Sequence, residues 1–232
     1  MSDYIYNIDV ITNELNQKGY SFLPTIKPVL EANLIYEKYL EENNLGTYVE
    51  ALDTHKLLID LLDLQKLFSA LHTLAEQTCR KNIDPMDQYL ISRYVKANQT
   101  SEGYRGHFDS HFITIVLQIQ IPPSPVPKCS GQLIAIPKAR KIPRNELQNI
   151  YGKIAWKRHN SEKGYDRLVL KQNALEIDFS DYRPLIFIGN STFHGNRPLT
   201  GSDSPRLSML CHLFDTSPKI GIGSLLRLMR NR

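Results

Sequence analysis

The chain has 232 residues, of which 41% are apolar and 22% charged, with a formal net charge of +4. Those values fit one globular unit with a full-sized core and exclude wholesale disorder, and the positive excess is too small to require a nucleic-acid partner. Three cysteines (Cys79, Cys129, Cys211) with no CxxC pair argue against a disulfide framework or thiolate zinc site and for a reducing setting. The N-terminus carries acids early and no apolar core of a signal peptide, and no stretch reaches the roughly 18–20 apolar residues that span a bilayer. A cytoplasmic location is expected.

Residues 7–18 place Ile8, Val10, Ile11 and Leu15 on one side of a helix that Gly19 stops, and 20–24 (YSFLP) reads as a short strand. Two longer helices are expected over 27–43 and 53–80, the second with leucines at three- and four-residue steps. From Tyr89 the apolar runs become short, β-branched or aromatic, and punctuated by Gly and Pro. The clearest strand, 111–121, has apolar odd positions from Ile113 to Ile121. Thr114, Gln118 and Gln120 alternate with them, and Val116 breaks the pattern. Period two with one apolar face predicts a half-buried strand.

Further strands are expected over 88–95, 132–136, 185–189 and 206–214. Many short strands without helices between them suggest a sandwich, jelly roll or barrel. The proline-rich run 122–130 is a connection, since it cannot be a central strand. Residues 138–171 hold ten Lys or Arg against three acids and read as an insertion, either a substrate lid or a solvated excursion. The tail from Ile220 reads as a short basic amphipathic helix.

The chemistry begins at His107-Phe108-Asp109. Residues two apart on an extended chain point to the same side, so an imidazole and a carboxylate can meet at one point; taken alone, the pair is equally a surface contact. His194 follows the apolar run 185–188, and twelve residues later Arg206-Leu207-Ser208 opens another strand. Two histidines and one carboxylate leave adjacent coordination positions open, which suits nonhaem iron(II). A guanidinium beside a hydroxyl suits the far carboxylate of a dicarboxylate.

The order HxD…H…RxS resembles the Fe(II)/2-oxoglutarate-dependent dioxygenase superfamily, with its prolyl-hydroxylase-like and phytanoyl-like oxygenases. Gly131-Gln-Leu133 before the insertion and Pro184–Gly189 before His194 add to the likeness. The resemblance implies a mainly β protein with N-terminal helices on a double-stranded β-helix (jelly-roll, cupin-like) core. The chain would be one oxygenase domain, with 1–87 as helical buttress, 88–216 as core carrying the insertion 138–171, and 217–232 as tail. His107, Asp109 and His194 would ligate Fe(II) and form the catalytic centre. Arg206 and Ser208 would bind 2-oxoglutarate, with Tyr94 and Thr114 as further candidates for that pocket, although core tyrosines and strand threonines need no ligand. Dioxygen would be the oxidant and ascorbate a support.

His111, Arg105 and Arg197 are candidate substrate contacts. For His212, core packing is the default. Asp109 stands where halogenating relatives have Gly or Ala, which favours hydroxylation or desaturation. His212 stands where the nucleic-acid demethylase branch carries a second arginine, which speaks against nucleic acid as substrate. The expected reaction is hydroxylation or desaturation of a small-molecule or natural-product substrate, with an acidic one compatible with the basic insertion, releasing succinate and CO2. A peptidyl or protein hydroxylase and a catalytically inactive metal-binding jelly-roll sensor or scaffold are the alternatives.

Overall fold

Helix α1 (Ile8–Lys18) starts where the Asn7 side chain accepts from the Val10 N–H at 3.1 Å and ends at Gly19, whose φ of 84° lets its N–H reach the carbonyls of Glu14 and Leu15. This is a computed structural model, and it describes residues 7–24, 48–49, 64–122, 129–172 and 174–216. The expected helix over 27–43, the first part of that over 53–80, most of the proline-rich connection and the tail lie outside the described residues. The chain continues through β1 (Tyr20–Phe22), β2 (Tyr48–Val49), α2 (Leu64–Cys79), β3 (Gln88–Val95), a 3-10 turn at Thr100–Glu102, β4 (His111–Gln120) and β5 (Leu133–Ile136). Then come α3 (Glu146–Lys157), α4 (Glu162–Gln172), β6 (Leu175–Ile177), β7 (Leu185–Ile188), β8 (Phe193–Asn196) and β9 (Arg206–Asp215).

The strands form two antiparallel sheets, a six-stranded one ordered β1-β7-β4-β9-β3-β2 and a three-stranded one ordered β6-β5-β8. A bridge between His107 and His194, bonded both ways through the backbone at 2.8 and 3.0 Å, extends the small sheet by one more chain segment. A cavity lined by β3, β4 and β9 on one side and by β5 and β8 on the other separates the sheets. This is the double-stranded β-helix with N-terminal helices that the motif order implies.

β4 differs from its expectation. Its odd residues Ile113, Ile115, Leu117 and Ile119 pack with Ile11 and Leu15 of α1 and Leu67 and Leu71 of α2 in the main core. Thr114, Val116 and Gln118 are buried as well, because they face the other sheet rather than water, so the middle of the strand is covered on both sides. The polar residues of that face are enclosed, and Val116, the break in the alternation, contacts Leu133, Leu185 and Phe187 in an apolar cluster between the sheets.

The insertion also departs from a run of strands alone. It folds as two helices, and α4 buries Tyr165 and Leu168 against Ile134, Ile136 and Phe193 on the outer face of the small sheet. Arg197, at the end of β8, is 1% exposed and pairs with Asp166 of α4 at 2.9 Å and with Glu176 of β6 at 2.5 Å. Those ion pairs, shielded from water on the arginine side, fasten the insertion to the sheet.

Candidate metal centre

Asp109 sits between the two sheets, with His107 Nε2 3.4 Å from one carboxylate oxygen and His194 Nε2 3.5 Å from the other. The two imidazoles lie 4.5 Å apart, ring centre to ring centre, and one ligand atom from each of the three residues falls within 4.8 Å of the others. Backbone pairing explains the convergence: residue 107 lies directly opposite residue 194, and Asp109 is held by its own N–H to the Gly189 carbonyl at 3.2 Å. His107 is 57% exposed, whereas the other two side chains are buried, so the cluster opens to solvent on one side only.

The second nitrogen of each imidazole is fixed by the backbone. His107 Nδ1 lies 3.0 Å from the Arg105 carbonyl, and His194 Nδ1 lies 3.2 Å from the Thr192 carbonyl. A carbonyl only accepts, so Nδ1 carries the hydrogen, and Nε2, on the Asp109 side of each ring, is the nitrogen left to ligate a metal. The carboxylate has its own supports: Thr114 donates to Oδ2 at 2.5 Å, and His212 Nδ1 stands 3.6 Å from the same oxygen and 3.1 Å from the Thr114 hydroxyl.

The electrostatics agree. Burial alone would raise the Asp109 pKa, but His194, His212 and His107 hold it well below the usual carboxylate range. Burial pushes the His194 pKa down to about 4, so this imidazole is neutral at physiological pH. Burial disfavours the charged form of His107 too, yet the adjacent Asp109 carboxylate prevails and its pKa is raised. Gly189 is required beside this group, because a Cβ there would lie 2.5 Å from the Thr114 hydroxyl and 3.0 Å from Asp109 Oδ2.

The cavity in front of these groups measures about 860 Å3. Thr114, Ser208 and Arg105 line it, Arg105 at the rim with 61% exposure. Arg206 is buried and donates through Nη1 to the Gly131 carbonyl; Gly131 is needed there because a side chain would collide with the guanidinium. Tyr94 is elsewhere. It belongs to the core packed under the helices, because β3 turns Arg93 rather than Tyr94 into the cavity. Arg197 is spent on Asp166 and Glu176 and lies outside the cavity lining. His111 stacks on Tyr89 and stands 5.5 Å from His212, behind the lining.

Among the cavity residues without a site role in the sequence, His212 and Arg93 stand beside charged partners. His212 touches Asp109 rather than merely packing, and the signal was there, since 206, 208 and 212 share one parity on a strand. Arg93, which bonds Asn196 Oδ1 at 2.6 Å and Glu102 Oε2 at 3.0 Å, had no motif to mark it.

No protein-family model matches the chain, and no curated protein matches it. Solved structures do match in fold. A prolyl-4-hydroxylase from Pseudomonas putida aligns over 90% of this chain and 100% of its own at 12% identity and a TM-score of 0.57. EvdO2 from Micromonospora carbonacea var. aurantiaca, in complex with 2-oxoglutarate, aligns over 95% and 96% at 12% identity and a TM-score of 0.55. The epimerase SnoN, in complex with Fe3+, alpha-ketoglutarate and nogalamycin RO, aligns over 94% and 88% at 14% identity and a TM-score of 0.52. The likeness to these enzymes is one of fold, the jelly roll that the motif order implies. Among the described residues, no helix is long and apolar enough to cross a membrane.

The donor set itself fits a nonhaem iron. Two orientation-locked imidazoles and one ionised carboxylate occupy one side of the metal position, and the other side faces the cavity.

Proposed function

We propose that the protein is an Fe(II)- and 2-oxoglutarate-dependent oxygenase that hydroxylates or desaturates a small molecule. The observation that carries this reading is the convergence of His107 Nε2, Asp109 and His194 Nε2 beside a cavity roomy enough for a cosubstrate and a substrate together. Iron with 2-oxoglutarate bound supplies dioxygen activation coupled to decarboxylation; in the hydroxylation balance, substrate, 2-oxoglutarate and O2 become hydroxylated substrate, succinate and CO2.

The chain's own groups have distinct tasks. His107, Asp109 and His194 would hold the metal, with Thr114 orienting the carboxylate and the Arg105 and Thr192 carbonyls orienting the rings. Arg206 and Ser208 would provide charge and a hydroxyl for the far carboxylate of 2-oxoglutarate. Val116 and Leu133, from the apolar cluster between the sheets, add apolar surface to the cavity wall.

The rim favours an acidic group on the substrate. Arg105 and Lys157 both line the mouth, and the carboxylate of Glu102 is shared between Arg105 at 2.8 Å and Arg93 at 3.0 Å, which leaves the mouth net positive. A peptide substrate stays the alternative that the likeness to a prolyl-4-hydroxylase supports.

The test is an anaerobic titration of the apoprotein with Fe(II) and then 2-oxoglutarate, followed by exposure to oxygen and assay of succinate. The expected result is a visible charge-transfer band on addition of 2-oxoglutarate and slow succinate release on oxygenation, both abolished by Asp109→Ala. Tight metal binding with neither band nor succinate would replace this reading with that of a metal-binding scaffold.

A further inference from the structure

Helix α3 turns its apolar row to the solvent. None of its 12 residues is buried. Two contacts hold its inner side: Trp156 packs on Phe108 and Phe193, and Asn149 Oδ1 accepts from the Arg140 guanidinium at 2.9 Å. At 3.6 residues per turn, Leu147, Ile150, Tyr151 and Ile154 form a row on the opposite side. Leu147, Tyr151 and Ile154 are 77%, 76% and 63% exposed, and Ile150 is 37% exposed. They are four of the eight large apolar side chains exposed among the described residues, so the exposure is concentrated rather than scattered. A short surface helix ordinarily gains its stability by burying such a row, and a bare one marks a contact surface.

The charges around the row have one sign. Arg144 stands just before the N-cap, Lys153 and Lys157 follow Ile150 and Ile154 by one turn along one flank, and Arg158 continues the row at the C-cap. Glu146 is the one acid of the helix. Over the whole insertion, 138–171, ten Lys or Arg stand against three acids. A second copy of the chain would bring a like-charged flank against this one, which opposes pairing. Protein interfaces also deplete lysine around their apolar centres. A lipid headgroup layer fits both features, because Leu, Ile and Tyr reach the acyl boundary while the cations stay among the phosphates.

We propose that α3 is an interfacial anchor: the protein docks on an anionic membrane surface through Leu147, Ile150, Tyr151 and Ile154, with the flanking lysines and arginines set against the lipid headgroups. The cavity lies beside this helix, since Lys157 at its C-terminal end and Asn160 just beyond it are among the lining residues. Docking therefore brings the cavity close to molecules carried in the bilayer. The anchor uses none of the metal-centre residues, so it stands or falls separately from the oxygenase reading.

The experiment sediments the full chain with vesicles of phosphatidylcholine alone, and of phosphatidylcholine and phosphatidylserine in equal parts, at low and at physiological salt. Wild type is compared with the triple variant L147Q/Y151Q/I154Q and the double variant R144Q/K153Q. Wild type is expected to bind the mixed vesicles, less at higher salt, and to leave the neutral ones in suspension. The triple variant should bind roughly a hundredfold more weakly, and the double variant about tenfold more weakly. Thermal midpoint and Fe(II) affinity should not change in either. If the triple variant is unfolded, L147Q and I154Q carry the comparison singly. No binding of wild type to mixed vesicles overturns the proposal, as does binding that the triple variant retains in full, which would place the contact elsewhere on the chain. Wild type that self-associates in sedimentation equilibrium, beside a monomeric triple variant, gives the row to a second copy and overturns the membrane assignment.

Discussion

The Thr114 hydroxyl donates to Asp109 Oδ2 at 2.5 Å, across five residues of chain that carry the backbone from the small sheet's edge into the central strand of the large one. The contact joins the two sheets at the metal position and leaves Oδ1 turned toward His107. Thr114→Val keeps the shape and removes the donor, so it frees the carboxylate to rotate. Loss of a group that orients a metal ligand typically weakens affinity about 10- to 100-fold. A competition titration with a chelator should show that loss for T114V and recovery of most of it in T114S.

Gly189→Ala tests the packing of the same corner. The added methyl would meet the Thr114 hydroxyl at 2.5 Å and the His111 carbonyl at 3.0 Å, and the latter is backbone that cannot swing aside. G189A should fold with a lowered thermal midpoint and a displaced Asp109, seen as weakened Fe(II) binding in calorimetry. Wild-type affinity would mean that the corner yields at no cost to the ligand geometry.

Metal affinity should depend on pH with a defined sign. In the metal-free protein Asp109 holds the His107 pKa above the roughly 6.5 of a free imidazole, so near neutrality a proton competes with the metal there. His194, pushed down to about 4, has already lost its proton. Affinity therefore falls as pH drops through the His107 titration, about tenfold per pH unit, with one proton released per metal bound. Proton release measured between pH 5 and 7 in two buffers checks the count. Two protons would show that both imidazoles titrate together.

Arg197→Met should unfasten the insertion. It leaves the Asp166 and Glu176 carboxylates without the buried guanidinium that they share. Breaking a buried pair from one side costs about 3–5 kcal/mol, tempered here because both carboxylates are partly exposed. Faster amide exchange confined to α4 and β6, with Fe(II) affinity little changed, is the expected pattern. A loss of metal binding equal to that of D109A would place Arg197 in the site after all.

Much of this molecule was legible in the chain because the relevant physics is local. Asn7 and Gly19 bracket a helix by capping, and alternation in 111–121 marks a strand whatever it packs against. The two-residue spacing of His107 and Asp109 puts both on one side of an extended segment before any partner is known. The order of His194, Arg206 and Ser208 behind them pointed to the fold.

What the tertiary structure decided is which face of each strand looks inward. β3 reads equally well in either sense, and only its register with β9, pairing Arg93 with Ser208 and Tyr94 with Leu207, turns the arginine into the cavity and the tyrosine into the core. Arg197 is a candidate substrate contact in the sequence, but its partners lie 31 and 21 positions away, on elements that meet it only after the insertion folds back. His212 and Gln118 gained their surroundings in the same way. A strand's period of two fixes which residues share a side, but only the packing of two sheets and two helices determines which side is the inside.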